Sequence, residues 1–448
     1  MPLFFKNRQI LREIHGTSEE FSKYLEIMIK KTTLTNGLRI ITIPQRGTRA
    51  VTVLLLVGTG SKYETKRISG VSHFLEHMYF KGTKKRPTVR DVLEPLDRIG
   101  GIYNAFTGGD YTGYFAKVEV DHLGLALDWV SDIFLHSLLS QKEIQKEKSV
   151  VMEEINMHRD IPMSRVDVLW SRLLYGDQPA GWDIAGTKES VLRLSRRDLS
   201  EYMKSQYAPT NTIVCVAGNV RVRYVEEKIQ RVFGGMEKRS FQAKPEVIER
   251  QTMPEATVEW RETDQTHIAL GVRGYNLFHP LRYAQELLAT MLGGMMSSRL
   301  MIEVRERLAL AYSISTGSES NPETGYIVTT AGIKNDGTEK AIQTILREYK
   351  AMKTKPISSR ELQKAKDHEK GRLALTLESS DARTYFYGMQ ELLEGKILTV
   401  GDIYDTIDKV RGAHIKQVAQ DIFRQEKLNL VVLGPYKEKM KFTRLLML

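Results

Sequence analysis

Two histidines and a glutamate stand close together in the stretch His73-Phe74-Leu75-Glu76-His77. If this stretch is helical, His73 and His77 share a face, and Glu76, three residues after His73, lies on the same side. Zinc binds imidazole nitrogen at about 2.0 to 2.1 Å, and catalytic zinc sites combine three protein ligands with a water. The spacing predicts two of those ligands. A pair of surface histidines on an amphipathic helix would give the same pattern.

The surrounding residues favour a helix that packs on a core. Its apolar members follow the i, i+3, i+4, i+7 spacing of a buried helical face: Val71, Phe74, Leu75 and Met78. The histidines and the glutamate are then left on the other side of the helix. The motif is therefore geometrically coherent, and one further ligand has to come from elsewhere.

An acidic segment further along the chain offers candidates for that ligand. Glu147, Glu154 and His158 fall on one helical face by their spacing. Glu153 is adjacent to Glu154, and periodicity alone does not choose between the two. A charged helical face most often means a solvated surface, so this segment does not by itself establish a site.

Composition narrows the classes of protein. The chain has 448 residues, of which 41% are hydrophobic and 27% charged, so we expect two to four folded domains and no extensive disorder. The longest apolar stretch, residues 50–57, has the length of a strand, so no membrane span is predicted. A single cysteine, Cys215, excludes an internal disulfide and a cysteine-based zinc site.

The net charge and the first residues of the chain bear on its partners and its location in the cell. The formal net charge of +11 is spread along the chain without a long basic run, so we expect no nucleic-acid partner. Residues 1–30 lack a secretory pattern and contain several glutamates that a transit peptide would lack. The predicted location is therefore cytoplasmic.

The order of elements repeats after about 220 residues, which predicts an internal duplication. A strand at 212–217 ends at Gly218, and a strand at 428–433 ends at Gly434. We expect two homologous α+β domains that face one another. The predicted units are an N-terminal extension (1–31), a zinc-binding domain (32–236), a linker (237–255) and a second domain (256–448). The strands at 38–43 and 51–57 are expected to pair as a hairpin.

The stretch from Gly70 to Thr83, GVSHFLEHMYFKGT, resembles the inverted-zincin metallopeptidases, which include pitrilysin, insulin-degrading enzyme and the mitochondrial processing peptidase. It is most similar to the processing-peptidase branch, and the resemblance extends from about Thr32 to Pro435. It implies antiparallel-rich sheets packed with helices, forming half of a clam-like chamber. It also implies one Zn²⁺ per subunit and a homodimer, or a heterodimer with a paralogous subunit.

The same resemblance assigns roles in the first half of the chain. Glu147, Val150 and Glu154 fit the family's Glu-x-x-Val-x-x-x-Glu setting, which makes Glu154 the third metal ligand. Glu147 becomes a supporting carboxylate, with a structural salt bridge as the alternative. Glu76 becomes the general base, which takes a proton from a water that zinc has made acidic and later gives it to the leaving amine.

Substrate contacts are implied in both halves. Asn104, Ala105 and Phe106 resemble the family's edge strand, which can add a peptide strand through main-chain hydrogen bonds. Arg305 and Tyr312, seven residues apart, resemble the family pair that clamps the substrate backbone and donates to the developing oxyanion. Where the family commonly has Gly before Leu-Ala-Tyr, this chain has Ala309.

The predicted function is a zinc-dependent endopeptidase that hydrolyses unfolded peptides or short polypeptides inside a dimer chamber. The alternative is a non-catalytic scaffold or partner subunit of the same family, which would keep the fold without turnover. A structural zinc protein is a third class, but such sites usually have four ligands and several cysteines.

Overall fold

The computed structural model describes residues 29–448. Most of the predicted extension therefore lies outside the described residues. The first strand, β1, begins at Lys30 and pairs with the strand that follows it, so Lys30 and Lys31 belong to the first sheet. None of the helices described is both long and apolar enough to span a membrane.

The first half is built on a six-stranded mixed sheet in the order β1-β2-β6-β3-β5-β4. The strands are β1 (Lys30–Thr33), β2 (Arg39–Pro44), β3 (Ala50–Val57), β4 (Ile102–Thr107), β5 (Thr112–Glu119) and β6 (Thr212–Gly218). β2 and β6 are parallel, and the other neighbours are antiparallel. β4 is an edge strand, and within residues 29–448 one of its sides has no sheet partner.

The second half repeats this arrangement in a five-stranded sheet, in the order β7-β11-β8-β10-β9. The strands are β7 (Glu255–Trp260), β8 (Gln265–Arg273), β9 (Ala311–Ser320), β10 (Gly325–Lys334) and β11 (Leu428–Gly434). Its single parallel pair, β7 with β11, matches β2 with β6. The predicted duplication of an α+β unit is confirmed by this shared topology.

Helices cover the sheets. In the first half they are α1 (Val71–Met78), α2 (Val89–Asp97), α3 (Leu123–His136), α4 (Gln141–Asp160), α5 (Pro162–Tyr175), α6 (Lys188–Arg193), α7 (Arg196–Gln206) and α8 (Val222–Phe233). In the second half they are α9 (Arg282–Ala289), α10 (Thr338–Thr354), α11 (Ser359–Thr376), α12 (Ser380–Glu394), α13 (Val400–Lys409), α14 (Gly412–Ile422) and α15 (Lys439–Leu445). Two π-helical segments, Thr290–Gly294 and Met301–Arg307, follow α9.

The predicted hairpin of the strands at 38–43 and 51–57 is wrong. β6 lies between β2 and β3 and pairs with both. All seven residues of β6 are buried, so this apolar strand is most stable in the interior of the sheet, covered on both faces. A strand more than 150 residues downstream therefore displaces the local pairing.

One helix from each half packs on the sheet of the other half. α5 packs on β8 and β11 of the second sheet, where Trp170 joins a cluster with Ala269 and Val431. α12 packs on β3 and β6 of the first sheet, where the buried Tyr387 joins a second cluster. The two halves therefore share hydrophobic surface that neither could bury alone. Residues 237–254 connect them without helix or strand.

The residue that departs from the family pattern, Ala309, lies between the second π-helical segment and β9 with φ +51. This left-handed conformation costs an L-residue about 1 kcal/mol or more, whereas glycine adopts it readily. We expect Ala309→Gly to raise the free energy of unfolding by up to about 1 kcal/mol in urea denaturation. Ala311→Gly, in β9, is the control and should lower it.

Candidate metal centre

The helix that carries the two histidines starts at a crowded point. Gly70, which precedes α1, has φ +91, and a Cβ at this position would lie 2.5 Å from the carbonyl oxygen of Ala185. Its N–H and that of Ser72 donate to the two carboxylate oxygens of the buried Glu64, at 2.6 and 2.8 Å. The start of α1 is thus held by a carboxylate that satisfies amides left free at a helix N-terminus.

The apolar face predicted for α1 is buried, and its polar face meets α4. Val71, Phe74, Leu75 and Met78 are fully buried in the core of the first half. α1 packs against both α4 and the edge strand β4. The two helices therefore bring residues that are about 80 positions apart into one cluster.

His73, His77 and Glu154 converge in that cluster. Oε2 of Glu154 lies 3.5 Å from Nε2 of His73 and 3.3 Å from Nε2 of His77, and one ligand atom from each residue lies within 4.8 Å of the others. Tetrahedral zinc with bonds of about 2.0 to 2.1 Å separates its ligand atoms by about 3.3 to 3.4 Å. The donor set and its spacing therefore fit a zinc ion held by three protein ligands.

The electrostatic surroundings of Glu154 favour its ionised form, which can bind a metal. Hydrogen bonds from His73 and His77 hold the pKa of Glu154 well below its usual range, although burial opposes this. The carboxylate of Glu154 is therefore ionised at neutral pH. His158, one helical turn further on, has its Nε2 3.7 Å from Oε1 of Glu154, which adds a third imidazole neighbour to the carboxylate.

Glu147 supports His77 from the other side of the ring. Its Oε1 accepts a hydrogen bond from Nδ1 of His77 at 2.8 Å, and its Oε2 lies 2.7 Å from Nζ of Lys81. Burial opposes ionisation of Glu147, but these two partners lower its pKa. The bond to Nδ1 leaves Nε2 of His77 facing Glu154, which is how outer carboxylates orient metal-binding histidines.

Glu76 lies on the same helix as the two histidines and is held by the edge strand. The hydroxyl of Thr107, the last residue of β4, donates to Oε2 of Glu76 at 2.6 Å. Within β4, Ala105 is buried with the core under α1, whereas the side chain of Phe106 contacts Tyr385 of α12 on the opposite face. Asn104 is exposed. The end of β4 thus lies next to the carboxylate of Glu76.

The structure does not bring Arg305 and Tyr312 to this cluster. Arg305 lies in the second π-helical segment, where its guanidinium contacts Glu306 at 3.1 Å. Tyr312, the second residue of β9, has 79% of its surface exposed. Among residues 29–448, neither forms a hydrogen bond or ion pair with His73, His77, Glu76 or Glu154.

Three contributors to the site escape sequence reasoning. Thr107 ends the Asn-Ala-Phe-Thr stretch. The only sequence signal for its role is that a residue with a hydroxyl group lies three positions after Asn104. Lys81 lies four residues after His77, just beyond the end of α1, but its partner Glu147 is distant in sequence. Glu64 carries no local pattern at all, because it acts on amides six and eight residues later.

Comparison with known proteins decides the family. Residues 39–188 match the model described as insulinase (peptidase family M16), and residues 193–368 match the one described as peptidase M16 inactive domain. Together these matches cover well over half of the chain. The chain belongs to peptidase family M16. This agrees with the resemblance to inverted zincins that the motif indicated.

Relatives of this M16 chain carry consistent names. It is 37% identical over 399 residues to an uncharacterized zinc protease of Bacillus subtilis, covering 89% of this chain and 97% of that protein. It is 32% identical over 417 residues to an uncharacterized zinc protease of Streptomyces coelicolor, covering 92% and 90%. The fold is similar to that of a protease from Helicobacter pylori, with TM-score 0.85, 24% identity, and 91% and 99% of the two chains covered.

Zinc binding to this M16 chain should depend on pH through His77. Burial lowers the proton affinity of His77, but its hydrogen bonds with Glu147 and Glu154 prevail and raise its pKa to about 9 in the metal-free protein. Zinc must displace that proton, so the Kd for zinc should fall by about tenfold per unit as pH rises from 6 to 8. Calorimetry in buffers of different ionisation enthalpy would count the proton released.

Glu147→Gln is the matched variant for this measurement. It removes one of the two carboxylates that hold the proton on His77, so the pH dependence between 7 and 8 should become shallower. A Kd that does not change with pH in the wild-type protein would contradict the account of His77.

Proposed function

We propose that this M16 chain is a zinc-dependent endopeptidase that hydrolyses unfolded peptides or short polypeptides. The observation that carries the proposal is the convergence of His73, His77 and Glu154, with Glu76 held beside them by Thr107. The names of the relatives support the class of enzyme. One zinc ion per subunit would be held by the three converging residues.

Bound zinc supplies a Lewis acid that makes water a nucleophile near neutral pH. Glu76 is positioned as the general base: its carboxylate takes the proton of the attacking water and later delivers it to the leaving amine. Thr107 donates to Oε2 of Glu76, which fixes the carboxylate and leaves Oε1 able to receive the proton. Glu147 keeps the proton of His77 on Nδ1, which leaves Nε2 as the metal-binding atom.

The requirement for an unfolded substrate follows from the edge strand. β4 has free main-chain groups along one side, and an extended peptide can pair with them as an additional strand. Such pairing through Asn104, Ala105 and Phe106 gives affinity that depends little on peptide sequence. Most segments of a folded protein are already paired or buried and cannot add to β4, so peptides and unfolded polypeptides are the proposed substrates.

Arg305 and Tyr312 are proposed to act on a partner subunit, in a homodimer or in a heterodimer with a paralogue. The exposed hydroxyl of Tyr312 contacts no group of its own metal centre and is free to reach another one. There it would donate to the oxyanion that develops during attack, while Arg305 would hold the peptide backbone. The chamber enclosed by two subunits would then complete each catalytic site.

Glu76→Gln tests the proposed hydrolysis. This variant should bind zinc as the wild-type protein does, because Glu76 is not a ligand, and the rate of peptide cleavage should fall by about 10² to 10⁴-fold. Cleavage of an unfolded peptide and zinc content by atomic absorption would be measured on both proteins. Absence of cleavage by the wild-type protein would instead favour a non-catalytic partner subunit, and equal cleavage by both would exclude Glu76 as the base.

Mixed dimers test whether Tyr312 acts across subunits. Glu76→Gln and Tyr312→Phe chains should each be impaired alone, since each lacks one contributor to every site. Unfolding and reassembly of the two together should restore about half of the wild-type rate in mixed dimers, where one site is complete. An assembled mixture no more active than the separate variants would show that Tyr312 acts within its own chain or not at all.

A further inference from the structure

Four charged side chains form a shielded cluster between the two halves: Lys62, Asp110, Lys244 and Glu323. Nζ of Lys62 lies 2.6 Å from Oδ2 of Asp110 and 3.8 Å from Oε2 of Glu323. Nζ of Lys244 contacts Oδ1 of Asp110 and Oε1 of Glu323. The side chains are between 4% and 29% exposed. The cluster alternates two cations with two anions and is neutral overall.

Each member comes from a different segment of the chain. Lys62 lies in the 3₁₀ turn Ser61–Tyr63, which closely follows β3. Asp110 lies in the turn between β4 and β5, and Glu323 lies in the matching turn between β9 and β10 of the second half. Lys244 belongs to the connecting residues 237–254, which have no helix or strand of their own. The cluster therefore ties the connection and the second half to the β4–β5 turn.

This turn is closely held on its other side by backbone. The N–H of Ser61 donates to the carbonyl of Gly108 at 3.1 Å, and that of Lys62 donates to the carbonyl of Gly109 at 3.0 Å. A Cβ on Gly60 would lie 2.1 Å from the carbonyl oxygen of Gly108, so the two segments are in direct contact. Movement of Asp110 would therefore move the residues on either side of it.

The residue just before this turn is Thr107, whose hydroxyl donates to Glu76. Only Gly108 and Gly109 separate Thr107 from Asp110. We propose that Lys244 is a positioning residue for Glu76: it holds Asp110, and thereby Thr107 and the carboxylate of the base. The inference rests on the proposed function for its catalytic consequence, and it gives the connection between the halves a role in the reaction.

The net charge of the cluster allows the positioning role of Lys244 to be distinguished from its ordinary packing contacts. Lys244→Met leaves two shielded carboxylates with one cation, Lys62, so the turn must rearrange to hydrate the excess negative charge. Adding Glu323→Gln returns the cluster to neutrality with the Lys62–Asp110 pair intact. Glu76 should therefore be better positioned in the double variant than in Lys244→Met alone, although the double variant has lost more of the wild-type contacts.

Peptide cleavage tests the consequence for Glu76. Lys244→Met should lower kcat by about tenfold, since small displacements of a catalytic group are costly, with KM and zinc content nearly unchanged. Lys244→Arg, and Lys244→Met with Glu323→Gln, should each recover most of that loss. The control Lys238→Met removes an exposed lysine of the same connection and should retain the wild-type kcat. The proposal would be overturned if the loss of kcat in the double variant were the sum, in free energy, of the losses caused by Lys244→Met and Glu323→Gln separately.

The route through Thr107 can be tested separately. Thr107→Val removes the hydroxyl that holds Glu76 and should lower kcat by itself. In that background, Lys244→Met should cause less than about a twofold further loss, because the contact through which it acts is already gone. A full additional tenfold loss would show that Lys244 does not act through Thr107.

Hydrogen exchange provides a test that does not need turnover. The amides of Ser61 and Lys62, which donate to the turn, and of Gly108, which donates to the carbonyl of Tyr111, should exchange about tenfold faster in Lys244→Met than in Lys238→Met. Unchanged exchange would contradict the proposed tie. Were the wild-type protein to cleave no peptide, the proposed endopeptidase function would fail, while this measurement would still decide whether Lys244 holds the turn.

Discussion

The carboxylate of Glu154 lies within 3.5 Å of two imidazole nitrogens, and this close approach is the constraint around which the first half is built. Such an approach is favourable when a proton on an imidazole nitrogen, or a metal ion, lies between the groups. The proton and the metal ion would be bound by the same residues. Zinc binding is therefore expected to release a proton, and Glu147, whose pKa is lowered by its contacts with His77 and Lys81, should affect both.

Much of the surrounding structure serves to hold these groups in place. Glu64 and Gly70 fix where α1 begins, and the buried apolar face of the helix fixes its rotation. α4 then has to supply a carboxylate at one particular turn. The exchange of α5 and α12 between the halves makes this frame a property of the whole chain, because the sheet that carries β4 is covered on its far face by a helix from the second half.

Local sequence predicted part of the fold and part of the candidate site, but not all of either. The spacing of His73, Glu76 and His77 predicted one helical face, because helix geometry relates near neighbours directly. It could not choose Glu154 over Glu153, which required resemblance; in the structure Glu154 faces the histidines, whereas Glu153 contacts Asn156. The duplicated α+β fold was also predictable, since the order of strands and glycine breaks repeats.

What could not be predicted depends on contacts between distant segments. The insertion of β6 between β2 and β3 overturned a hairpin that looked natural from adjacent strands. Residues 237–255 were predicted to be a linker, and nothing in their composition indicated that Lys244 would meet Asp110 and Glu323. Arg305 and Tyr312 were assigned by resemblance, and their proposed action on another subunit stays a prediction.

The most direct test of the central claim is anomalous diffraction from crystals of the zinc-loaded protein at the zinc absorption edge. We expect one zinc ion per subunit, bound by Nε2 of His73, Nε2 of His77 and a carboxylate oxygen of Glu154, with a position left for water. A zinc ion without Glu154 among its ligands, or one closed by a fourth protein ligand, would contradict it.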